Sequence, residues 1–387
     1  MEAVGRPPIR GGIDLGGTKV EAIVVDADNT VLGSARHPTP STGGPEAVAA
    51  ELIKAVTGAC QGAGVEPSSL QGVGIGSPGV VDEATGAVST ARNLPDWEGS
   101  FELGATLSRE LGTPVIVGND VQVATDAEFA LGAGRPYSSL LGVMWGTGVG
   151  GGLILDHKPW LGRGGAGEIG HMVVKIDGRR CPCGRRGCME AYAGRAAMEA
   201  RARSRMVKGD KTDLFKLMKE RGRTKLTSSV WARALDRGDK LTIELLDEAV
   251  EALGAGIASA QNLLDVEAIV IGGGLGVRLG EPFVRRIREA MWPHVFNDAH
   301  PPDVLIAGLG DLGGALGAAL LVSRRVEGEP APVAEASSGG DGSAAGQTPA
   351  STQPPGSAAD APAESESQNA GGGHPPAAFF ILFPPPL

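Results

Sequence analysis

The sequence predicts an α/β protein built from two related halves, and three observations carry that prediction. Strands and helices alternate from about residue 9 to residue 323, a strand hairpin bent on a glycine turn opens each half, and the alternation stops at a Pro-, Ala-, Gly- and Ser-rich stretch over residues 326–387. The 387 residues, 42% of them hydrophobic, suffice for two domains of about 100–200 residues with a large buried interior. A fibre or a wholly disordered chain is excluded. The formal charge of −10, from 35 Lys and Arg against 45 Asp and Glu, argues against nucleic-acid phosphates as the main partner.

Taken in order, Ile9 to Ile13 and Lys19 to Asp26 alternate apolar residues about a Gly16-Gly17 bend and read as a hairpin. Gly43 to Gly62 reads as a helix, with Ala47, Leu52, Ile53 and Val56 at three- and four-residue steps. Gln71 to Ser77 and Val115 to Gly118 are buried strands, separated by a helical stretch from Phe101 to Leu111. The pattern then repeats from Leu140, with a strand into the glycines at 146–152 and a second hairpin strand Gly152 to Leu155. A long polar region follows, then a helix from about Leu241 to Leu264 and the strand Ala268 to Ile271. Gly310 to Val322 is an Ala- and Leu-rich helix that closes the fold. The expected organisation is a domain over 9–118, to which the helix at about 310–323 returns, and a larger domain over 119–309, facing one another across a cleft.

The 61 glycines and 27 prolines fall in two kinds of place. Some glycines cluster at strand ends; the rest, with many prolines, lie in the 326–387 segment, which has no apolar period and cannot offset its ordering entropy, so it reads as a disordered tail. Its apolar end, Phe379 to Phe383, is far shorter than the roughly 20 residues a bilayer span needs. No basic segment leads into an apolar run after Met1, so a cytoplasmic protein with no membrane partner is expected. Of the four cysteines, Cys60 sits in the first helical pattern as a small buried hydrophobe. Cys181, Cys183 and Cys188 crowd into eight residues, which in a reducing compartment suggests metal before disulfide.

Three glycine clusters end strands: Asp14-Leu-Gly-Gly-Thr-Lys19, Gly146-Thr-Gly148 within the run to Gly152, and Gly272 to Gly274. Such turns let backbone N–H groups approach an anion without a Cβ in the way, and in the first of them Thr18 and Lys19 add a hydroxyl and an ammonium. Asp14 would face a bound Mg²⁺. Each turn alone reads equally as a plain strand connection, but three together favour a nucleotide. None is a Walker A loop or a dinucleotide fingerprint. Asn119-Asp120 follows a strand end, where α/β proteins place their clefts. Either residue can cap the next helix, and Asp120 can serve as general base for a substrate hydroxyl.

His171 with Cys181, Cys183 and Cys188 makes a Cys₃His set, the closed tetrahedral composition of structural zinc, with Gly184 and Gly187 allowing a tight knuckle. Four protein ligands leave no position for a catalytic water, so the metal shapes the site and performs no chemistry. One His171 nitrogen would remain to meet a substrate hydroxyl, and Glu168 and Glu190 flank the knuckle, placed either to grip vicinal hydroxyls or as solvated surface glutamates. The basic, helical stretch Arg195 to Lys240 carries no functional signal, and its Arg201, Arg203, Arg205, Lys208 and Lys211 read as a solvated face.

These motifs, in this order, resemble the ROK family of sugar kinases and sugar-responsive repressors. The resemblance runs from about residue 9 to 323 and includes Gly76-Ser-Pro-Gly-Val-Val-Asp82 and Asn93-Leu-Pro-Asp-Trp97 besides the motifs above. It implies a two-domain actin- and hexokinase-like ATPase fold with a central cleft. It also implies Asp120 as catalytic base, Asn93, Asn119, Asp120, Glu168, His171 and Glu190 as sugar-binding residues, and His171, Cys181, Cys183 and Cys188 as zinc ligands. ATP with Mg²⁺ would lie among Asp14, Gly16, Gly17, Thr18, Lys19, Gly146, Thr147, Gly148, Gly273 and Gly274. Asn93 to Trp97 and Gly187 to Gly194 are most similar to bacterial glucokinases, so glucose 6-phosphorylation is the expected activity. Kinases for N-acetylglucosamine, N-acetylmannosamine, fructose or mannose, and polyphosphate as donor, are the alternatives. The repressors of the family carry a winged helix-turn-helix ahead of the kinase-like part, for which the thirteen residues before Asp14 leave no room. A non-catalytic scaffold is disfavoured because the base and all four metal ligands are present. A homodimer or homotetramer is expected from the family alone.

Overall fold

Period-two alternation ending on glycine turns produces two five-stranded sheets. A computed structural model describes residues 8–91, 94 and 96–326; Asn93 and all of the expected tail beyond Val326 lie outside the described residues. The first half comprises β1 (Arg10–Leu15), β2 (Lys19–Val25), β3 (Val31–Pro38), α1 (Gly44–Ala63) and β4 (Val73–Ser77). A small sheet of β5 (Val80–Asp82), β6 (Ala87–Ser89) and β7 (Ser100–Phe101) precedes α2 (Leu103–Leu111), β8 (Val115–Asn119) and α3 (Asp120–Ala130). The second half contains β9 (Leu140–Trp145), β10 (Val149–Leu155) and β11 (Lys158–Pro159). The helices α4 (Glu190–Ala193), α5 (Arg195–Val207), α6 (Leu214–Glu220), α7 (Ser228–Asp236) and α8 (Lys240–Leu264) follow. It closes with β12 (Ala268–Gly272), α9 (Gly273–Leu279), α10 (Glu281–Met291), β13 (Asp303–Ile306) and α11 (Gly313–Val326).

The two sheets share one topology. The first has the order β3-β2-β1-β4-β8 and the second β11-β10-β9-β12-β13. In each, a hairpin is antiparallel (β1 with β2, β9 with β10) and its first strand runs parallel to the next two, β4 and β8 or β12 and β13. The carboxyl ends of the parallel strands therefore gather at one edge of each sheet, where α/β proteins bind ligands. Each sheet has its own apolar core. α1 turns Val48, Leu52 and Val56, four residues apart, onto the first sheet, and Cys60 is buried with them, its thiol pushed up to about 11 by burial. The 25-residue α8 buries Leu245, Leu246, Ala249, Leu253 and Ile257 against the second.

The helices α3 and α11 bridge the two halves, and glycines in strand interiors let them approach. A Cβ on Gly74 of β4 would stand 1.7 Å from the carbonyl oxygen of Ala318 in α11, and one on Gly142 of β9 would stand 2.2 Å from Thr125 Oγ1 in α3. Glycine thus occupies a third kind of place that the strand pattern did not separate from turns: strand positions pressed directly on a helix backbone. The buried Glu128 of α3 stitches the same junction, its carboxylate accepting from the N–H groups of Ala133 at 3.0 Å, Gly308 at 2.9 Å and Leu309 at 2.9 Å, just ahead of α11. Because the clash at Gly74 is with backbone, Gly74→Ala should destabilise the protein by about 1–3 kcal/mol or more. An unchanged urea midpoint for that variant would show that α11 does not bear on β4.

Several elements differ from the sequence expectation. β3 buries none of its residues fully and leaves Val31, Leu32, Ser34, Arg36 and Pro38 exposed, so it lacks the apolar run that marks a buried strand. β13 has only four residues and becomes a strand by pairing with β12. The stretch over 195–240 is helical as expected, in α5, α6 and α7, but their apolar faces also join the second core. α11 begins after a 3₁₀ turn at Gly310–Leu312 and continues through Val326, the residue at which the tail was expected to begin. Among the described residues no helix is long and apolar enough to cross a membrane.

Candidate active site

Asp120 stands at the carboxyl end of β8 as the first residue of α3, one step after Asn119, whose Oδ1 caps the helix by accepting from the N–H groups of Val121 at 3.1 Å and Gln122 at 3.2 Å. The Asn119 amide also donates to Gly79 O at 3.4 Å, fixing its orientation. Capping and site placement therefore coexist: Asn119 caps the helix, and Asp120 Oδ1 shares only the Val121 N–H with it. Burial pushes the Asp120 carboxyl up to about 7, the neighbouring Asp14 adds to the rise, the N–H of Val121 at 3.0 Å opposes it, and Glu168 raises it slightly. Asp14, near the end of β1, is itself raised, first by burial, with Lys19 acting against it and Glu21 and Asp311 with it. A carboxyl that changes charge near neutrality is suited to proton transfer.

On the other side of Asp120 lies the cysteine knuckle. His171 ends a 3₁₀ turn, Ile169–His171, with its Nδ1 3.8 Å from Cys181 Sγ and its Nε2 3.7 Å from Glu168 Oε2. Cys183 and Cys188 have their sulfurs 3.7 Å apart, and the ligating atoms of His171, Cys181, Cys183 and Cys188 all lie within 4.8 Å of one another. A tetrahedron with Zn–S bonds of about 2.3 Å has edges of about 3.8 Å, so the donor set fits zinc in chemistry and in spacing. Backbone bonds from Cys181 N to Arg185 O at 2.8 Å and from Gly184 N to Cys181 O at 2.9 Å fold the knuckle. The imidazole thus faces the thiols with one nitrogen and the Glu168 carboxylate with the other. Glu190 starts α4 with Oε1 3.8 Å from Cys181 Sγ and Oε2 accepting from Val149 N at 3.0 Å, which ties the knuckle to the second glycine turn.

That turn and the third cluster meet. A Cβ on Gly146 would lie 3.9 Å from the backbone nitrogen of Gly274, and one on Gly148 would strike Glu190 Oε2 at 2.2 Å. In the first turn, Gly16 N donates to Lys19 O at 2.9 Å and Thr39 Oγ1 donates to Gly16 O at 2.6 Å. The Lys19 ammonium pairs with the buried Glu21 at 3.4 Å, and Glu21 also pairs with Arg36. A continuous series of neighbours thus runs from Asp14 through Asp120, Glu168, His171, Cys181 and Glu190 to Gly148, with Gly146, Thr147, Gly273 and Gly274 beyond. Gly16, Gly17 and Thr18 are on the first turn beside Asp14. Asn93 lies outside the described residues. Arg195, Gly79 and Gly314, whose Cβ would meet the Asp14 carboxyl at 2.8 Å, were not singled out from sequence. Arg195 was hidden among the basic residues of the 195–240 stretch.

The ROK family model matches residues 10–325. The chain belongs to the ROK family. A glucokinase of Streptomyces coelicolor is 32% identical over 326 residues, covering 83% of this chain and 98% of that protein. An N-acetylgalactosamine kinase of a Shewanella species is 33% identical over 319 residues, 80% of this chain and 95% of that protein. Among solved structures, a ROK family glucokinase from Streptomyces griseus in complex with glucose and AMPPNP superposes with a TM-score of 0.70 at 32% identity, covering 82% of this chain and 99% of that one. This ROK protein therefore has the actin- and hexokinase-like fold, with a Cys₃His cluster in its second half.

Proposed function

We propose that this protein is an ATP-dependent glucokinase that phosphorylates the 6-hydroxyl of glucose, with Asp120 as general base. The coarser assignment, an ATP-dependent sugar kinase, rests on relatives of about 30% identity matched over 98% of their own length and 82–83% of this chain. The observation that carries the mechanism is the Asp120 carboxyl, buried at a strand end and raised to about 7 by burial, with Asp14 and Glu168 adding to the rise.

Phosphoryl transfer asks the protein for position and charge neutralisation more than for covalent work. In this reading Asn119, Glu168, His171 and Glu190, with Asn93, hold the sugar hydroxyls, and rigidity comes from the knuckle on one side and the Asn119 cap on the other. Asp120 takes the proton of the 6-hydroxyl as that oxygen attacks the γ-phosphorus; the bond from the γ-phosphorus to the β,γ-bridging oxygen breaks, and ADP leaves. When bound, Mg²⁺ supplies charge neutralisation on the phosphates, and Asp14, a carboxylate with no ion pair among the described residues, is the group that would hold it. The domains assigned from sequence, 9–118 and 119–309, would close on the substrates and exclude water as a competing acceptor.

Glucose is favoured over an N-acetylhexosamine by the likeness of Asn93 to Trp97 and Gly187 to Gly194 to glucokinases. The test is ADP release with Mg·ATP against glucose, mannose, fructose, N-acetylglucosamine, N-acetylmannosamine and N-acetylgalactosamine, repeated with polyphosphate as donor. Glucose should lead by at least about tenfold in kcat/KM, a scale pocket contacts readily supply. Preference for an N-acetylated sugar would retain the mechanism and replace the substrate.

A further inference from the structure

Arg195, the first residue of α5, lies against the second glycine turn. Its Nη2 donates to Thr147 Oγ1 at 2.7 Å and its Nη1 to Leu226 O at 2.5 Å, while its Nε is buried without an acceptor. Among the described residues no carboxylate forms an ion pair with it. Within the same helix Arg203 pairs with Glu199 and Arg205 with Asp210 and Glu244, whereas Arg201, like Arg195, has a buried Nε without an acceptor, but only Arg195 touches the glycine turn. Glu199 is also occupied by Leu226 N at 2.8 Å. Burial draws the Arg195 guanidinium pKa down, with the charge of Glu199 acting against that shift without closing an ion pair. Retaining such a group is costly unless an anion arrives to pair with it.

The turn beside it is built to receive one. The backbone N–H of Arg195 donates to Gly146 O at 3.2 Å and that of Ala196 to Thr147 O at 3.0 Å. A trans peptide points its N–H opposite to its carbonyl, so with both carbonyls turned to α5 the N–H groups of Thr147 and Gly148 point away from it. Among the described residues, neither N–H meets an acceptor. The Thr147 hydroxyl accepts from Arg195, which leaves its own proton to donate elsewhere. Two N–H groups without acceptors and a hydroxyl with a proton to donate thus sit on one turn, next to the Gly274 backbone, and the Arg195 guanidinium reaches that turn through Thr147 Oγ1.

We propose that Arg195 is an anion-binding residue of the nucleotide site, placing its charge at Thr147 to take phosphate oxygens of the bound nucleotide. This rests on the phosphotransferase reading above and adds to it a residue that sets affinity for the phosphate-bearing donor and leaves affinity for the sugar unchanged.

The experiment compares the full chain with its Arg195→Met and Arg195→Lys variants, titrating ADP and, as a phosphate-free probe, adenosine, and measuring KM for ATP and for sugar. Loss of a charge-assisted bond should weaken ADP by about 10- to 100-fold in the Met variant. Lys, which keeps the charge without the planar fork, should recover part of that loss. Adenosine affinity and the sugar KM should stay at the wild-type level. A purely structural role, tethering the turn to Leu226, would weaken adenosine and ADP alike and would not be rescued by Lys; that result, or an unchanged ADP affinity in the Met variant, overturns the assignment. Should Met fail to fold, equal losses of ADP and adenosine in the Lys variant overturn it as well. Wild-type protein that binds neither probe removes the phosphotransferase reading itself, whereas wild-type binding with unaffected variants removes only Arg195.

Discussion

Asp120→Asn lowers kcat by about 10²- to 10⁴-fold while leaving sugar affinity within a few-fold of wild type, the outcome expected when a general base is lost and its shape retained. Near-normal turnover would end the assignment. The same residue predicts a pH profile. With its carboxyl at about 7 in the free enzyme, kcat/KM should fall roughly tenfold for each pH unit below that value as the base becomes protonated. Stability should move the opposite way. Between about pH 4 and pH 7 the native state holds a proton that the unfolded chain has already lost, so stability falls as pH rises through that window, and the full cost persists above it. A rise of about three pKa units corresponds to at most about 4 kcal/mol. Asn carries no such cost, so thermal midpoints of the two proteins should diverge above pH 4 and level off above pH 7. A gap of equal size at pH 4 and pH 8 would exclude the buried charge as its source.

Stripping the metal is the second large effect expected. One zinc per chain should be found by elemental analysis, and Cys188→Ala should lose it, since a structural tetrahedral site tolerates no missing ligand. Zinc binding to such sets contributes about 10–16 kcal/mol in isolated peptides, comparable to or larger than the whole stability of an ordinary domain. Burial keeps the Cys181 and Cys188 thiols protonated in the absence of a cation, so without zinc they cannot replace its bonds with ion pairs. The knuckle should then loosen, and with it His171, whose second nitrogen faces Glu168, and Glu190 beside Cys181. The sugar KM should rise about 10- to 100-fold, the scale seen when supports of a metal site are removed. Because Glu190 also holds Val149 N, ATP affinity should fall too, but by less. Metal-free protein with an unaltered sugar KM would show that zinc does not shape the sugar site.

Much of this site was legible because its parts are local. Asn119 and Asp120 are adjacent, so a strand followed by a helix start places them without long-range information. The three cysteines fall within eight residues, and glycines at 184 and 187 mark the bend, so the donor set appears in the sequence as spacing. Arg195 was not legible, because its sequence neighbours are basic and only the folded chain shows that Arg203 and Arg205 find carboxylates and it does not. Gly12, Gly74 and Gly142 read as strand residues with no further meaning, because the helices that press on them arrive from far along the chain.

By itself the sequence determined the alternation of strands and helices, the paired hairpins on glycine turns, the candidate base and the composition of the metal set. These follow from backbone preference and side-chain period, which act over a few residues. Tertiary structure alone decided that β9, besides its hairpin partner β10, pairs with the distant β12, that α3 and α11 bridge the two sheets, and that Asp14 and Glu168 stand close enough to move the charge of Asp120. Those outcomes depend on which distant segments the two apolar cores bring together and on how much water they exclude, and neither quantity is a property of any short stretch of chain.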